Sequence, residues 1–128
     1  MNLETLRRYL QEKKGAVEDF PFGPETLVCK VGGKMFALVA LRESPLWLNL
    51  KCDPDKAEAQ RIFYAAVRPG YHMNKRHWNT IILDGTMPDE EILAMVDESY
   101  DLVVQTLSRA VRQAAGLTGG KEGYESAC

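Results

Sequence analysis

The segment PGYHMNKRHWNTI, residues 69–81, concentrates the side chains of this 128-residue chain that are best suited to chemistry. It contains both histidines, His72 and His77, one of the two tryptophans and the adjacent basic pair Lys75 and Arg76. Imidazoles can bind metals or transfer protons, whereas basic and aromatic side chains together can contact nucleic acid. The segment could therefore form a metal site, an active site, a nucleic-acid-binding loop or a purely structural turn.

The spacing gives little support to metal binding or to nucleophilic catalysis. A metal ion needs ligands that converge, but the two histidines are five positions apart and the cysteines and acidic residues are distant along the chain. Cys29 and Cys52 lie within or beside predicted strands, where free cysteine usually packs as a small hydrophobe, although spacing alone leaves a cysteine–histidine pair open. Gly32-Gly33 joins two strands and precedes no helix, so no phosphate-binding loop is present. We expect no metal, no cofactor and no catalytic residues.

Nucleic-acid binding fits the residue types of the segment better. Basic side chains can neutralise phosphates, amides can hydrogen-bond to phosphates or base edges, and aromatic rings can stack on unpaired bases. These types are all present between Tyr71 and Asn79. A plainer interpretation stays open, in which Trp78 faces the core, the asparagines satisfy the turn backbone and the basic pair only solvates a loop.

The charge of the chain is unevenly distributed. The net charge is −2, but residues 27–86 carry nine basic and five acidic residues, whereas residues 87–128 carry three basic and eight acidic ones. A basic central segment suits an anionic partner, although the pI of about 5.7 lies below the range typical of nucleic-acid binders. No apolar run is long enough to span a membrane and the first residues lack the apolar part of a signal peptide, so we expect a cytoplasmic protein.

Hydrophobic periodicity predicts seven elements in the order α-β-β-β-α-β-α. The clearest is a hairpin in TLVCKVGGKMFALVAL, because Gly32 and Gly33 can both take the positive φ of a tight turn. PLWLNLKC reads as a strand with Trp47 and Lys51 on its outer face, Asp53-Pro54 starts a helix that runs to about Val67, and a long final helix extends to Val111. Such an order favours an α+β fold, a mostly antiparallel sheet with helices packed on one side.

The domain is predicted to span residues 1–115, followed by a flexible glycine-rich tail at 116–128. In HWNTIIL, strand alternation places Trp78, Thr80 and Ile82 on one face and His77, Asn79 and Ile81 on the other. We expect Trp78 to be largely buried.

The sequence also resembles a known family. KVGGKMFALV, LNLKCDPDKA, PGYHMNKRHWNTIIL and ESYDLVV, taken together over about residues 2–113, are similar to the MmcQ/YjbR family of small bacterial proteins. The resemblance implies a fold like that of frataxin-type CyaY and a DNA-binding protein of the "double wing" type. It does not imply iron binding, since the first helix balances its acidic residues with basic ones where frataxins carry an acidic ridge.

The central charge and the resemblance together indicate a non-enzymatic, transcription-associated DNA-binding protein, which we expect to be a monomer. The alternative is a protein-interaction adaptor, suggested by the acidic final helix. The candidate nucleic-acid-binding residues are Lys30, Lys34, Lys51, Tyr71, His72, Asn74, Lys75, Arg76 and His77.

Overall fold

The computed structural model describes residues 1–71 and 73–117, which form a six-stranded antiparallel sheet with helices on one side. The strands are β1 (Val17–Asp19), β2 (Thr26–Val31), β3 (Lys34–Ala40), β4 (Trp47–Lys51), β5 (Val67–Pro69) and β6 (Trp78–Ile82). The helices are α1 (Leu3–Gln11), α2 (Pro54–Phe63), α3 (Asp89–Gln105) and α4 (Arg109–Ala114). The predicted α+β class is confirmed, and the predicted elements occur in the predicted order.

The strand order in the sheet is β1-β2-β3-β4-β6-β5, and each neighbouring pair is antiparallel. Successive side chains along a strand point to opposite faces of a sheet. One face carries the helices and the core. The other, which we call the outer face, is formed by the side chains of Val17, Asp19, Thr26, Val28, Lys30, Met35, Leu38, Ala40, Trp47, Asn49, Lys51, Arg68, Trp78, Thr80 and Ile82.

Local sequence signals explain where the main elements begin. The Asp53 carboxylate caps α2 by accepting hydrogen bonds from the amides of Asp55 and Lys56, and Pro54 occupies the first helical turn. Gly32 and Gly33 turn the β2–β3 hairpin with φ of 58° and 81°. The hairpin and the start of α2 are therefore as predicted.

The core lies between the sheet and α1 and α3. Leu6 and Leu10 of α1 and Val96 and Val103 of α3 are almost fully buried against β2, β3 and β4. Ser99 links α3 to β3 and β4. Its hydroxyl donates to the carbonyl of Phe36 at 2.5 Å and accepts from the amide of Lys51 at 2.9 Å. Within the described ranges, no helix combines the length and apolar character needed to cross a bilayer.

Three short elements were not predicted. The second helix was predicted to run to about Val67, but it ends at Phe63, and Val67–Pro69 form the edge strand β5. Pro69 is tolerated there because only one side of the strand is paired. The predicted final helix is interrupted after Gln105, and Ser108 caps α4 by accepting from the amide of Val111. The third addition is β1, which pairs with β2 at the opposite edge of the sheet.

Leu117 corrects the predicted domain boundary. Its side chain is 7% exposed and belongs to the core, so the packed domain extends past residue 115. The rest of the predicted tail, residues 118–128, lies outside the described residues.

Candidate nucleic-acid interface

The 69–81 segment connects the edge strand β5 to β6, and its backbone is closely hydrogen-bonded. The amide of Gly70 donates to the carbonyl of Trp78 at 2.9 Å, and the carbonyl of Asn74 accepts from the amides of His77 and Trp78 at 3.2 and 2.9 Å. A Cβ atom on Gly70 would come within 2.9 Å of the Trp78 backbone oxygen, so only glycine allows this approach. The segment is thus a structured strand-to-strand connection, not the helix-to-strand loop that the sequence suggested.

Asn79 and Arg61 attach the segment to α2 on the helix-covered side. Arg61 Nε donates to Asn79 Oδ1 at 2.7 Å, and the guanidinium also donates to the carbonyl of Lys75. Asn79 Nδ2 donates to the carbonyl of Ala57 and to Gln60 Oε1, both at 3.2 Å. Asn79 is 1% exposed, so these bonds satisfy a buried amide and its role is structural.

The predicted alternation of β6 is right, but Trp78 lies on the face away from the core. Trp78 is opposite Lys51 on the outer face and is only partly buried, whereas Ile81 is opposite Leu48 and is 1% exposed in the core. Asn79 shares the core face because α2 supplies polar partners for its amide. Trp78 is therefore a surface-facing aromatic residue of the sheet.

A groove of about 400 Å³ opens on the outer face. Its lining residues are Phe22, Thr26, Met35, Leu38, Ala40, Glu43, Trp47, Asn49, Tyr71 and Met73. Trp47 and Tyr71 meet edge to face with ring centroids 5.5 Å apart, and Tyr71 remains 57% exposed. The groove can therefore offer aromatic surface to a ligand.

Buried polar groups fix the floor and one wall of this groove. Asn49 Nδ2 donates to the carbonyl of Leu38 at 3.2 Å, and Asn49 Oδ1 accepts from the Thr80 hydroxyl at 2.5 Å. The Thr80 oxygen in turn accepts from the amide of Tyr71 at 3.0 Å. The 69–81 segment is thereby held over the outer face with Tyr71 beside Trp47.

Several of the candidate basic residues lie at one end of the outer face. Lys30 is opposite Met35, a groove residue, and Lys51 is opposite Trp78; the turn that leads into Trp78 carries Lys75 and Arg76. Within residues 1–71 and 73–117, no acidic side chain lies within 4.0 Å of the Lys51 ammonium group. This end of the face can accept an anion.

Two of these lysines already have partners. Lys30 Nζ lies 3.0 Å from Asp19 Oδ2, and this hydrogen bond lowers the pKa of the Asp19 carboxyl group below its ordinary value. Lys75 Nζ donates to the carbonyl of Gly70 at 3.1 Å. Lys51 and the exposed Arg76 are therefore the cations best placed for an external phosphate.

The remaining candidates are distributed differently. Lys34 Nζ donates to Thr106 Oγ1 at 3.1 Å, so it lies on the helix side and away from the outer face. Asn74 Oδ1 accepts from the amide of Arg76, and His77 contributes its carbonyl to the amide of Cys52 at 2.7 Å. His72 lies outside the described residues.

Phe22 and Arg68 are outer-face residues that the sequence did not single out. Phe22 is 65% exposed and lines the groove. Arg68 lies in β5, and its register opposite Thr80 puts it on the outer face. Neither residue lies in a segment long enough for its hydrophobic alternation to show which face the side chain is on.

Neither of the two cysteines in the described residues, Cys29 and Cys52, is suited to act as a nucleophile. Burial raises the pKa of the Cys29 thiol to about 12 and that of Cys52 to about 11. Both thiols therefore stay protonated at neutral pH and pack as buried side chains. No group of three or more histidine, cysteine or acidic side chains that could hold a metal occurs in the described part of the chain.

Sequence comparisons place the whole domain among similar proteins. A family model described as YjbR matches residues 11–102. The chain is 35% identical to the uncharacterized protein YjbR of Escherichia coli K12 over 113 residues, 88% of this chain and 96% of that protein. It is also 35% identical to the uncharacterized protein YbdF of Escherichia coli O157:H7 over 106 residues, 83% of this chain and 87% of that protein.

Two solved structures share the fold. Deinococcus radiodurans protein DR2400, a DUF419 domain, superimposes with a TM-score of 0.82 at 39% identity over 90% of this chain and 88% of that one. A protein from Pseudomonas syringae superimposes with a TM-score of 0.69 at 27% identity over 80% of this chain and 98% of that one.

Proposed function

The chain belongs to the YjbR family, and from this premise we propose that it is a monomeric, non-enzymatic DNA-binding protein. The outer face contacts the DNA, and phosphates are bound by Lys51 and by the basic turn at Lys75 and Arg76, with Lys30 at the same end of the sheet. Transcription-associated binding would place the protein in the cytoplasm.

The observation that carries this proposal is the difference in charge between the outer face and α3. Lys30, Lys51 and Arg68 are the basic strand residues of the outer face, and Asp19 is its acidic one. On the opposite side, α3 (Asp89–Gln105) contains six acidic residues and no basic one. A polyanion is therefore favoured at the outer face over the surface of α3.

A titration of fluorescently labelled DNA, followed by anisotropy at several salt concentrations, tests the proposal. We expect the affinity to fall steeply between about 50 and 200 mM salt, because neutralising phosphates releases counterions. The Lys51→Ala variant should bind more weakly and reduce the salt slope by about one contact. If the protein shows no binding at about 50 mM salt, the proposal is wrong.

Lys34→Ala is the matched control, since it removes the same charge from a lysine that is bonded to Thr106 on the helix side. It should leave both the affinity and the salt slope unchanged. Equal losses in the Lys34 and Lys51 variants would mean that overall charge, not the outer face, determines binding.

The acidic surface of α3 favours a second candidate, a protein-interaction adaptor that binds a basic partner. A pull-down with the purified protein, with and without nuclease treatment, separates the two functions. Partners that persist after nuclease treatment and are lost in a Glu90→Lys variant would support the adaptor.

A further inference from the structure

We infer that the outer-face groove binds one unpaired nucleobase, so that the protein prefers single-stranded or locally opened DNA to an intact duplex. This inference rests on the proposed DNA-binding function and specifies its substrate. The outer face has a basic half, which contains Lys30 and Lys51. Its aromatic half is the part of the groove where Trp47 lies with Tyr71 and Phe22.

The aromatic half provides surfaces on which a base can stack. Phe22 is 65% exposed, Tyr71 is 57% exposed, and Trp47 of β4 lines the groove and contacts Tyr71 edge to face. Side chains of this type stack on bases without regard to sequence. In a duplex the faces of the bases are covered by their neighbours, so this half of the outer face can be used only by a base that has left the stack.

The groove has the size and polarity of a site for such a ring. Its volume of about 400 Å³ is within the range of small-ligand sites, and its walls combine apolar side chains with Thr26, Asn49 and Glu43. The Glu43 carboxylate disfavours a phosphate inside the groove. It can instead accept a hydrogen bond from the exocyclic amino group of a base, as carboxylates do with cytosine.

The basic half is placed to hold the phosphate that accompanies the base. Lys51 follows the groove residue Asn49 by two positions on β4, which is a separation of roughly 7 Å along the strand. Lys30 is opposite the groove residue Met35. When a base of a DNA strand enters the groove, the sugar–phosphate backbone of that DNA strand lies beside Lys30 and Lys51. The positive charges of these lysines are complementary to the phosphates.

The experiment compares a mixed-sequence 12-nucleotide strand containing cytosine with the same strand annealed to its complement. We expect the single strand to bind at least tenfold more tightly. Tyr71→Ala and Phe22→Ala should each lower the affinity for the single strand roughly five- to hundredfold, because each removes a stacking surface. Phe63→Ala is the control, since it removes a ring that is 78% exposed on α2 away from the groove.

A spectroscopic readout locates the base independently of affinity. In a Trp78→Phe background, Trp47 is the remaining tryptophan of the chain, and a base in the groove should quench its fluorescence. The protein should keep the same circular dichroism spectrum, which establishes that each variant is folded.

The outcomes separate this inference from the proposed function. Salt-dependent binding of equal strength to the single strand and the duplex, with Trp47 emission unchanged, would overturn the inference and leave the DNA-binding function intact. Binding to neither form would overturn both. Single-strand binding that is insensitive to Tyr71→Ala and Phe22→Ala would also overturn the inference, because the base would then lie elsewhere.

Discussion

The guanidinium of Arg61 in α2 donates a 2.7 Å hydrogen bond to the buried side-chain oxygen of Asn79 in β6. The same guanidinium donates to the carbonyl of Lys75, and the Asn79 amide donates to the carbonyl of Ala57. One arginine and one asparagine therefore join α2 to both the strand and the basic turn of the 69–81 segment. The position of the turn beside the sheet therefore depends on this contact with α2.

Replacing Asn79 with alanine should destabilise the fold by about 2 to 3 kcal/mol, because it removes the acceptor of the Arg61 guanidinium and a buried donor to the carbonyl of Ala57. Asn74→Ala is the control, since the Asn74 side chain is exposed and accepts from the turn amide of Arg76, so we expect a loss below about 1 kcal/mol. Urea unfolding of the two variants measures the difference. Equal losses would mean that the buried network contributes little.

Ile81→Ala should destabilise the protein more than Trp78→Ala, although tryptophan is the larger side chain. Ile81 is 1% exposed in the core, so its truncation should cost about 2 to 5 kcal/mol. Trp78 is partly buried on the outer face, and we expect about 1 to 2 kcal/mol from the smaller apolar area that it loses. The midpoints of urea unfolding decide the order, and the reverse order would mean that Trp78 is the residue that anchors the core.

The same pair of residues shows how far sequence alone could predict the fold. Alternation correctly assigned Trp78 and Ile81 to opposite faces, because the period of a strand is a local property. The choice of the buried face was wrong, because it assumed that the largest apolar ring is inside. Asn79 can lie with Ile81 on the core face only because α2 offers Ala57, Gln60 and Arg61 as hydrogen-bond partners. The position of α2 beside β6 depends on tertiary packing, which local sequence patterns do not give.

The candidate site was predicted in part for a similar reason. Alternation in β4 placed Trp47 and Lys51 on one outer face, as the structure has them. It could not predict that Lys34 turns toward Thr106, or that Phe22 and Tyr71 enclose a groove with Trp47, since these contacts join distant parts of the chain. Residue propensities and hydrophobic periodicity predict single helices and strands, but the candidate site consists of contacts between different elements.

Ser99→Ala should cost about 1 to 3 kcal/mol, a large effect for the loss of one oxygen atom. The Ser99 hydroxyl is completely buried, donates to the carbonyl of Phe36 in β3 and accepts from the amide of Lys51 in β4, so alanine leaves two backbone groups unsatisfied. Ser108→Ala removes a cap from the short helix α4 and should cost less, about 0.5 to 1 kcal/mol. Thermal unfolding compares the two, and a larger shift for Ser108 would contradict the assignment.

The stability of the protein should fall in acid in a way that depends on Glu18. Its carboxylate accepts two hydrogen bonds from Arg7, at 2.7 and 2.8 Å, and these bonds keep the pKa of Glu18 below its ordinary value although partial burial opposes the shift. A carboxyl group whose pKa is lowered by folding stabilises the native state above its unfolded-state pKa, and this stabilisation is lost as the pH falls through the lowered value. Glu18→Gln should therefore cost about 1 kcal/mol at pH 7, an amount that allows for solvent screening of the partly exposed Arg7.

The difference between the native protein and the Glu18→Gln variant should shrink as the pH is lowered from about 5 to about 3, because the native carboxylate is then protonated. Urea unfolding at intervals of half a pH unit measures this difference. Glu4→Gln is the control, since the pair of Glu4 with Arg8 is exposed and its removal should change the free energy of unfolding by less than about 0.5 kcal/mol at pH 7. A difference for Glu18→Gln that stays constant across this range, or grows in acid, would contradict a stabilising ion pair between α1 and β1.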